Sequence, residues 1–265
     1  MKIYELHYSK TNTYLIKGDS GVLLFDTGWA GTFPDFCKAM GETGIAVKDI
    51  NYILISHFHP DHMGIARNIA NEGAVILVAD LQKEFVHSSD GIFAKEKKNN
   101  FIPIDDVNIK VFDVDKGRDI LREMGITGKI IHTPGHSDDS ISLVLDDGSA
   151  FVGDLNPLYE LELHKGTQIE ESWNKLLSLG LKKIYYGHAK TTEIGDAKKE
   201  ETGNKDLYDL VSKIMKMTDK GYDVTRIAKK TGADNEFIQD VLRMYLTHQN
   251  VGVQGILDRI EIKNR

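Results

Sequence analysis

The sequence predicts an α/β fold of the α+β kind: a four-layer αββα sandwich carrying a small helical, winged-helix-like appendage at its carboxy-terminal end. Three observations predict it. Five short β-prone runs, Val22-Leu-Leu-Phe, Tyr52-Ile-Leu-Ile, Lys129-Ile-Ile, Ala150-Phe-Val and Ile184-Tyr-Tyr, are each followed by a loop that carries Asp or His. Strands of this kind, covered on both faces, would bring those loops to one rim. Composition then shifts after about residue 195, where a polar stretch at 196–205 precedes apolar residues at helical spacing. The expected boundaries are therefore 1–200 for the main domain and 205–265 for a helix-turn-helix-like region.

In order, β-prone runs at 14–17 and 22–25 flank Gly18-Asp19-Ser20-Gly21, which is hairpin chemistry. Residues 33–44 read as a helix closed by glycine, 52–55 as a short buried strand, 61–71 as a helix and 74–79 as a strand. From 81 to 103 the pattern loosens into a helix and solvated loop, with a lid or subunit contact as the alternative and His87 and Phe93 as its contributors. Strands are expected at 107–112, 119–122, 129–132, 141–145 and 149–152, the last after an Asp146-Asp147-Gly148 turn. A helix at 169–179 and a strand at 183–186 complete the domain.

Size and composition narrow the function classes. A chain of 265 residues with 41% hydrophobic and 28% charged residues can bury a full core. Its formal charge of −7 argues against a general nucleic-acid coat. A single cysteine, Cys37, excludes an internal disulfide framework and reads as a small core residue. The start, Met-Lys-Ile-Tyr-Glu-Leu-His, has no apolar run after its basic residue, so no signal peptide and a cytoplasmic location are expected. No stretch approaches the roughly twenty apolar residues of a membrane span.

The densest chemistry lies in Ser56-His57-Phe58-His59-Pro60-Asp61-His62-Met63-Gly64. His57 and His59 stand two apart in an extended segment, so both side chains project to one side and can reach one ion. Pro60 keeps His59 out of the α region and opens a helix, whose first turn holds Asp61 ionised beside His62. The second pair points differently from the first, which implies two adjacent metals.

His57-x-His59-x-Asp61-His62 resembles the signature of the metallo-β-lactamase-fold hydrolase superfamily, in its glyoxalase II-like or lactonase-like branch. The remaining elements follow in the expected order: Phe-Asp26-Thr27-Gly28, Pro134-Gly135-His136, Gly153-Asp154 and Gly187-His188, so the similarity covers about residues 1–195. The resemblance implies that His57, His59 and His136 hold one metal, that Asp61, His62 and His188 hold a second, and that Asp154 bridges them. Oxygen and nitrogen donors without thiolate favour two zinc ions, with iron or manganese as alternatives. Two such ions would share a water, lower its pKa and present a bridging hydroxide to a carbonyl or phosphoryl centre. Asp61 would have a second, catalytic role in orienting that nucleophile or relaying a proton. Aspartate at 154, where some antibiotic-hydrolysing relatives have cysteine, points away from β-lactams.

Asp26 is expected to hydrogen-bond ligand histidines or to cap the turn at Gly28. His132 is expected to pack in its strand, whereas His164, Tyr159 and Tyr186 are candidate rim residues that could line a pocket or donate to an oxyanion. Ser137-Asp138-Asp139-Ser140 would disfavour anionic substrates if its carboxylates face inward.

Beyond the polar stretch, helices are expected at 207–220, 224–231 and 235–248, with 256–262 as a wing strand. From 205 to 265 there are 11 Lys plus Arg against 9 Asp plus Glu, and Glu236 and Asp240 accompany Arg243 on the would-be reading helix. That is a poor start for approaching phosphates. Packing on the main domain, lining its entrance or forming a homodimer is the favoured role. The expected function is hydrolysis of a small-molecule ester, thioester or lactone. The alternative is a phosphodiesterase or ribonuclease whose carboxy-terminal region contacts nucleic acid.

Overall fold

The computed structural model of the chain describes residues 1–95, 99–194, 205–247 and 251–263. The charged run at 96–98, nearly all of the polar connection expected at 196–205, and His248 lie outside the described residues. Strands β1 (Lys2–Leu6), β2 (Thr13–Lys17), β3 (Val22–Phe25), β4 (Tyr52–Leu54), β5 (Val75–Ala79) and β6 (Ile109–Phe112) form a six-stranded sheet in chain order. Its first three strands are antiparallel and β3 to β6 run parallel. A second sheet has the order β11-β10-β9-β8-β7, built from β7 (Gly128–His132), β8 (Ile141–Leu145), β9 (Ser149–Phe151), β10 (Lys183–Tyr185) and β11 (Thr192–Glu193). Only β9 and β10 pair in parallel there.

The strands are apolar throughout because both of their faces are covered, and the period of two sorts the side chains between layers. Leu15, Leu24, Ile53, Ile76 and Val78 face outward onto Phe36 and Met40 of α1 (Phe33–Thr43) and Ile69 of α3 (Ala66–Ala70). Their neighbours Tyr14, Ile16, Leu23, Phe25, Leu54 and Leu77 turn the other way and meet Leu143, Leu145, Phe151 and Tyr185 of the second sheet. From that sheet Val144, Ala150 and Ile184 point outward to Trp173 and Leu176 of α6 (Gln168–Leu177). The result is the αββα sandwich.

Within the sandwich three segments differ from the sequence reading. The helix expected at 61–71 is broken into α2 (Pro60–Met63) and α3. Thr27 takes the His62 carbonyl with both its N–H, at 2.7 Å, and its hydroxyl, at 3.0 Å, while the Gly64 N–H donates to Gly28 at 2.9 Å. Those groups are withdrawn from the helical ladder, so the helix stops. The strand expected at 119–122 is instead helix α5 (Gly117–Glu123), which follows α4 (Asp90–Phe93) in the chain. Ile120, Leu121 and Met124 fit helical spacing and are buried between the sheets. Strand β1 has no counterpart in the sequence reading; it pairs along the outer edge of β2.

The carboxy-terminal helices α7 (Lys205–Asp219), α8 (Val224–Thr231) and α9 (Asn235–Thr247) lie close to their expected positions. The expected wing strand is helix α10 (Val253–Lys263), because Ile256 and Ile260, four apart, join Val211, Ile214, Ile227, Ile238 and Val241 in one apolar cluster.

Phe151 is fully buried and holds the two sheets together, 5.1 Å from Tyr14, 5.7 Å from Phe25 and 4.6 Å from Tyr185 between ring centres. Phe151→Ala is expected to cost about 3–5 kcal/mol of stability, measured from denaturant midpoints at constant slope. A loss below about 1 kcal/mol would show that the intersheet core does not depend on this ring.

Candidate metal centre

Five loops at the carboxyl ends of strands supply the polar side chains. β3 leads to Asp26, β4 to Ser56, His57, His59, Asp61 and His62, β7 to His136, β9 to Asp154, and β10 to His188. The sandwich puts these ends on one rim, so residues scattered along the chain converge. His57, His59 and His136 offer ring nitrogens within 4.8 Å of one another, as do the donor atoms of His57, His62 and Asp154 and those of Asp61, His62 and His188. All seven residues named from the sequence are therefore brought together.

Proton positions follow from the hydrogen-bond network. The Ser56 N–H donates to Asp26 Oδ1 at 2.7 Å, and the Ser56 hydroxyl donates to Asp26 Oδ2 at 2.8 Å. With its only proton so engaged, Ser56 Oγ must accept from His57 Nδ1, 3.0 Å away. His62 Nδ1 donates to Asp26 Oδ2 at 2.8 Å, and His188 Nδ1 donates to the Lys10 carbonyl at 3.0 Å. In the neutral rings of all three, Nε2 is left as an unprotonated donor atom facing the centre. Asp26 thus orients the His62 ring directly and the His57 ring through Ser56, and its own turn has φ 61°.

The Nε2 atoms of His57 and His62 and Oδ1 of Asp154 are buried without a hydrogen-bond partner. His62 Nε2 lies 3.2 Å from that oxygen, close enough to attract but without hydrogen-bond alignment. His188 Nε2 stands 2.8 Å from Asp61 Oδ2 and 3.5 Å from Asp154 Oδ2; His136 Nε2 stands 3.1 Å from His59 Nδ1. Electron-rich atoms at such spacing call for a cation or protons among them, so the donor set fits a metal.

Protonation equilibria of the chain alone say the same. Burial pushes the His57 imidazole well below its ordinary pKa, with His62 and His136 adding to it, and burial lowers His136 to about 4. His62 is fully buried, yet Asp154, Asp26 and Asp61 overcome that burial and hold its pKa well above the ordinary value. His188 is raised against its burial by Asp154 and Asp61. Asp154 is held ionised against burial by His188 and His62, and Asp61 by His62 and His188. Without a metal, protons on His62 and His188 supply the positive charge that these carboxylates demand.

Several supporting residues carry no signature in the sequence. Gln82 Nε2 donates to the carbonyls of Ile55, Ser56 and Asp139, and Asp139 Oδ2 accepts the Phe58 N–H at 2.7 Å. Asp139 is buried and faces the metal loop's backbone, while Asp138 is exposed. The Ser89 hydroxyl donates to the Phe58 carbonyl at 2.6 Å and so braces the same loop. Asn12 Nδ2 donates to the Tyr186 and Ala189 carbonyls, clamping the His188 loop. Gly187 has no room for a side chain, since a Cβ would lie 2.5 Å from Asp154 Oδ1. Of the rim candidates, Tyr159 donates to Asp258 at 2.8 Å, the buried Tyr186 hydroxyl accepts the Leu158 N–H, and His164 is buried outside the cluster. His132 lies in β7 as expected, its Nε2 donating to the Asp138 carbonyl, and Cys37 is exposed and not in the core.

The family model for the metallo-beta-lactamase superfamily matches residues 9–188. The chain is 28% identical over 191 residues to the "Beta-lactamase-like protein 2 homolog" of Drosophila melanogaster, covering 69% of this chain and 60% of that protein. It is 30% identical over 149 residues to the "Atrochrysone carboxyl ACP thioesterase" of Aspergillus terreus, covering 54% and 38% respectively. The chain spans about half the length of the curated relatives it matches. Among solved structures, a metallo-beta-lactamase family protein from Thermus thermophilus has the same fold, with a TM-score of 0.59 at 18% identity over 98% of this chain and 92% of the other. With the match spanning both sheets and every loop that reaches the cluster, the chain belongs to the metallo-beta-lactamase superfamily.

Proposed function

We propose that the chain is a dinuclear metal-dependent hydrolase of small esters, thioesters or lactones, with residues 1–200 as its catalytic domain and 205–265 as an appended region. The observation that carries this reading is the set of buried, unpartnered donor atoms on His57, His62 and Asp154, which face one another. His57, His59 and His136 would hold one ion, Asp61, His62 and His188 the other, with Asp154 between them. Zinc suits the donors, as do iron and manganese. Divalent ions bound there would supply Lewis acidity and a water of lowered pKa.

The remaining work falls to the chain. The Asp61 carboxylate is one-third exposed, so it can reach solvent and substrate while its Oδ2 meets His188. It would accept a hydrogen bond from the attacking water and fix its approach to the carbonyl. Asp26 and the Lys10 carbonyl fix ring orientation. The choice of carbonyl substrates is supported by the thioesterase name of one relative and by the absence of a cysteine at position 154.

A second reading, phosphodiester or RNA cleavage, is favoured by one feature. A surface cavity between α7 and α8 is lined by Lys213, Lys216, Lys220 and Lys230 together with Tyr222 and one acid, Asp209, and the Arg226 guanidinium lies 3.9 Å over the Tyr222 ring. The chain's net charge conceals this concentration of cations.

His136→Ala and Asp61→Ala are each expected to lower bound metal and to reduce kcat/KM on esters by at least about a hundredfold. Full turnover by a metal-stripped preparation would refute the mechanism. Asp26→Asn is expected to keep the fold and weaken metal binding by ~10–100-fold, read by competition with a chromogenic chelator; wild-type affinity would remove Asp26 from the account. If RNA is the substrate, Lys216→Glu combined with Lys220→Glu should reduce cleavage and lower the salt slope of binding by about 2. An enzyme that turns over esters and leaves RNA intact eliminates the second reading.

A further inference from the structure

Asp154 and His188 follow neighbouring parallel strands, β9 and β10, and their loops are joined at the base, where the Gly187 N–H donates to the Gly153 carbonyl at 2.7 Å. They are joined a second time from outside the sandwich. Asp258, in the middle of α10, is buried, and its Oδ2 accepts the Tyr159 hydroxyl at 2.8 Å and the Lys190 N–H at 3.5 Å. Tyr159 lies five residues after Asp154, and Lys190 two after His188. Both side chains named as ligands therefore sit between two ties.

The outer tie is a costly one to build. A buried carboxylate needs donors to complete it, and Asp258 finds them in three segments: Tyr159, Lys190 and, one turn earlier in its own helix, Gln254, whose Nε2 donates to Oδ1 at 2.8 Å. Packing of the helix does not require an acid there, because Ile256 and Ile260 already seat α10 on the apolar cluster of the appended region. On either side of Asp258 the helix is steadied by the Gly252 N–H, which donates to the buried Glu160 carboxylate at 2.6 Å, and by Lys190 with Glu261, also at 2.6 Å. A carboxylate so placed can hold two loops in register, which apolar contacts do less specifically because they lack direction.

We infer that Asp258 is a positioning residue of the metal centre, a carboxylate of the appended region that holds the Asp154 and His188 loops in place for one of the two ions. This rests on the dinuclear reading and deepens it, since it makes the last helix part of the support of the site. An asymmetry follows. The ion expected at Asp61, His62 and His188 depends on this tie, whereas His57, His59 and His136 stand on the loops after β4 and β7, which have no bond to Asp258 among the described residues.

The test titrates the metal-stripped full chain with zinc against a chromogenic chelator, and with cobalt(II) followed by its visible absorption. His188→Ala identifies which equivalent belongs to the Asp61, His62 and His188 set. In Asp258→Asn, which keeps the shape and loses an acceptor, affinity for that equivalent should fall at least about tenfold and for the other by less than about threefold. Tyr159→Phe, which removes one donor, should give part of the same loss, and it carries the test if Asp258→Asn does not fold. Val241→Ala, which weakens the apolar cluster away from both loops, should lower stability and leave both affinities unchanged. Equal loss of both equivalents, or unchanged affinities, overturns the inference. If the wild-type chain binds fewer than two ions, the dinuclear reading fails, and amide hydrogen exchange decides for Asp258 alone. Exchange at 155–160 and 188–191 should then be at least about threefold faster in Asp258→Asn, with 57–64 unchanged; unchanged exchange in the two loops, or acceleration throughout the chain, overturns the inference.

Discussion

One buried carboxylate organises the rim. Asp26 leaves β3 with its N–H still bonded to Leu54 of the neighbouring strand, then turns at φ 61°, a conformation that costs a non-glycine residue of order 1–3 kcal/mol. The turn carries its side chain under the metal loop, where three donors meet it: the Ser56 amide, the Ser56 hydroxyl and His62. An ionised carboxylate in that position would be prohibitive without them. With them, the strain and the burial are offset, two loops are locked together, and two imidazoles are fixed with Nε2 toward the cluster. The strict proton order along Asp26, Ser56 and His57 makes the loop a device for presenting lone pairs.

Much of this is legible in the sequence, because the ligating residues sit in loops directly after strands and the strands declare themselves by unbroken apolar runs. The sandwich, the seven converging side chains and the supporting role of Asp26 follow from that pattern. Gln82, Asp139, Ser56 and Asn12 do not. They are common polar residues whose partners are set by tertiary packing, and Asn12 bonds a carbonyl 174 positions away. The misread elements have a different cause. Ile-Glu-Ile at 260–262 fits a period of two over a short window and a period of 3.6 over a longer one, and the short apolar pair Ile120-Leu121 has no periodicity that separates strand from helix until Met124 is included. The break between α2 and α3 depends on Thr27 and Gly28, which no local pattern could reveal.

Charge is also partly hidden. The carboxy-terminal stretch is nearly neutral as a sum, yet four of its lysines line one cavity between α7 and α8, and α9 carries a single cation, Arg243. A sum over sequence cannot show such segregation, since helices place residues three and four apart on one face.

The same distinction bears on what the centre can receive. Asp138 and Asp139 in sequence suggest an acidic surround hostile to anions, but Asp139 is turned into the protein to accept the Phe58 amide and Asp138 is exposed. The Asp139 carboxylate is thus occupied by a backbone donor, and those of Asp61 and Asp154 face imidazoles. A strand rim whose loops bring seven polar side chains to one point cannot readily vary without disturbing them, whereas a helix docked through Tyr159, Glu160 and Lys190 can, outside those contacts.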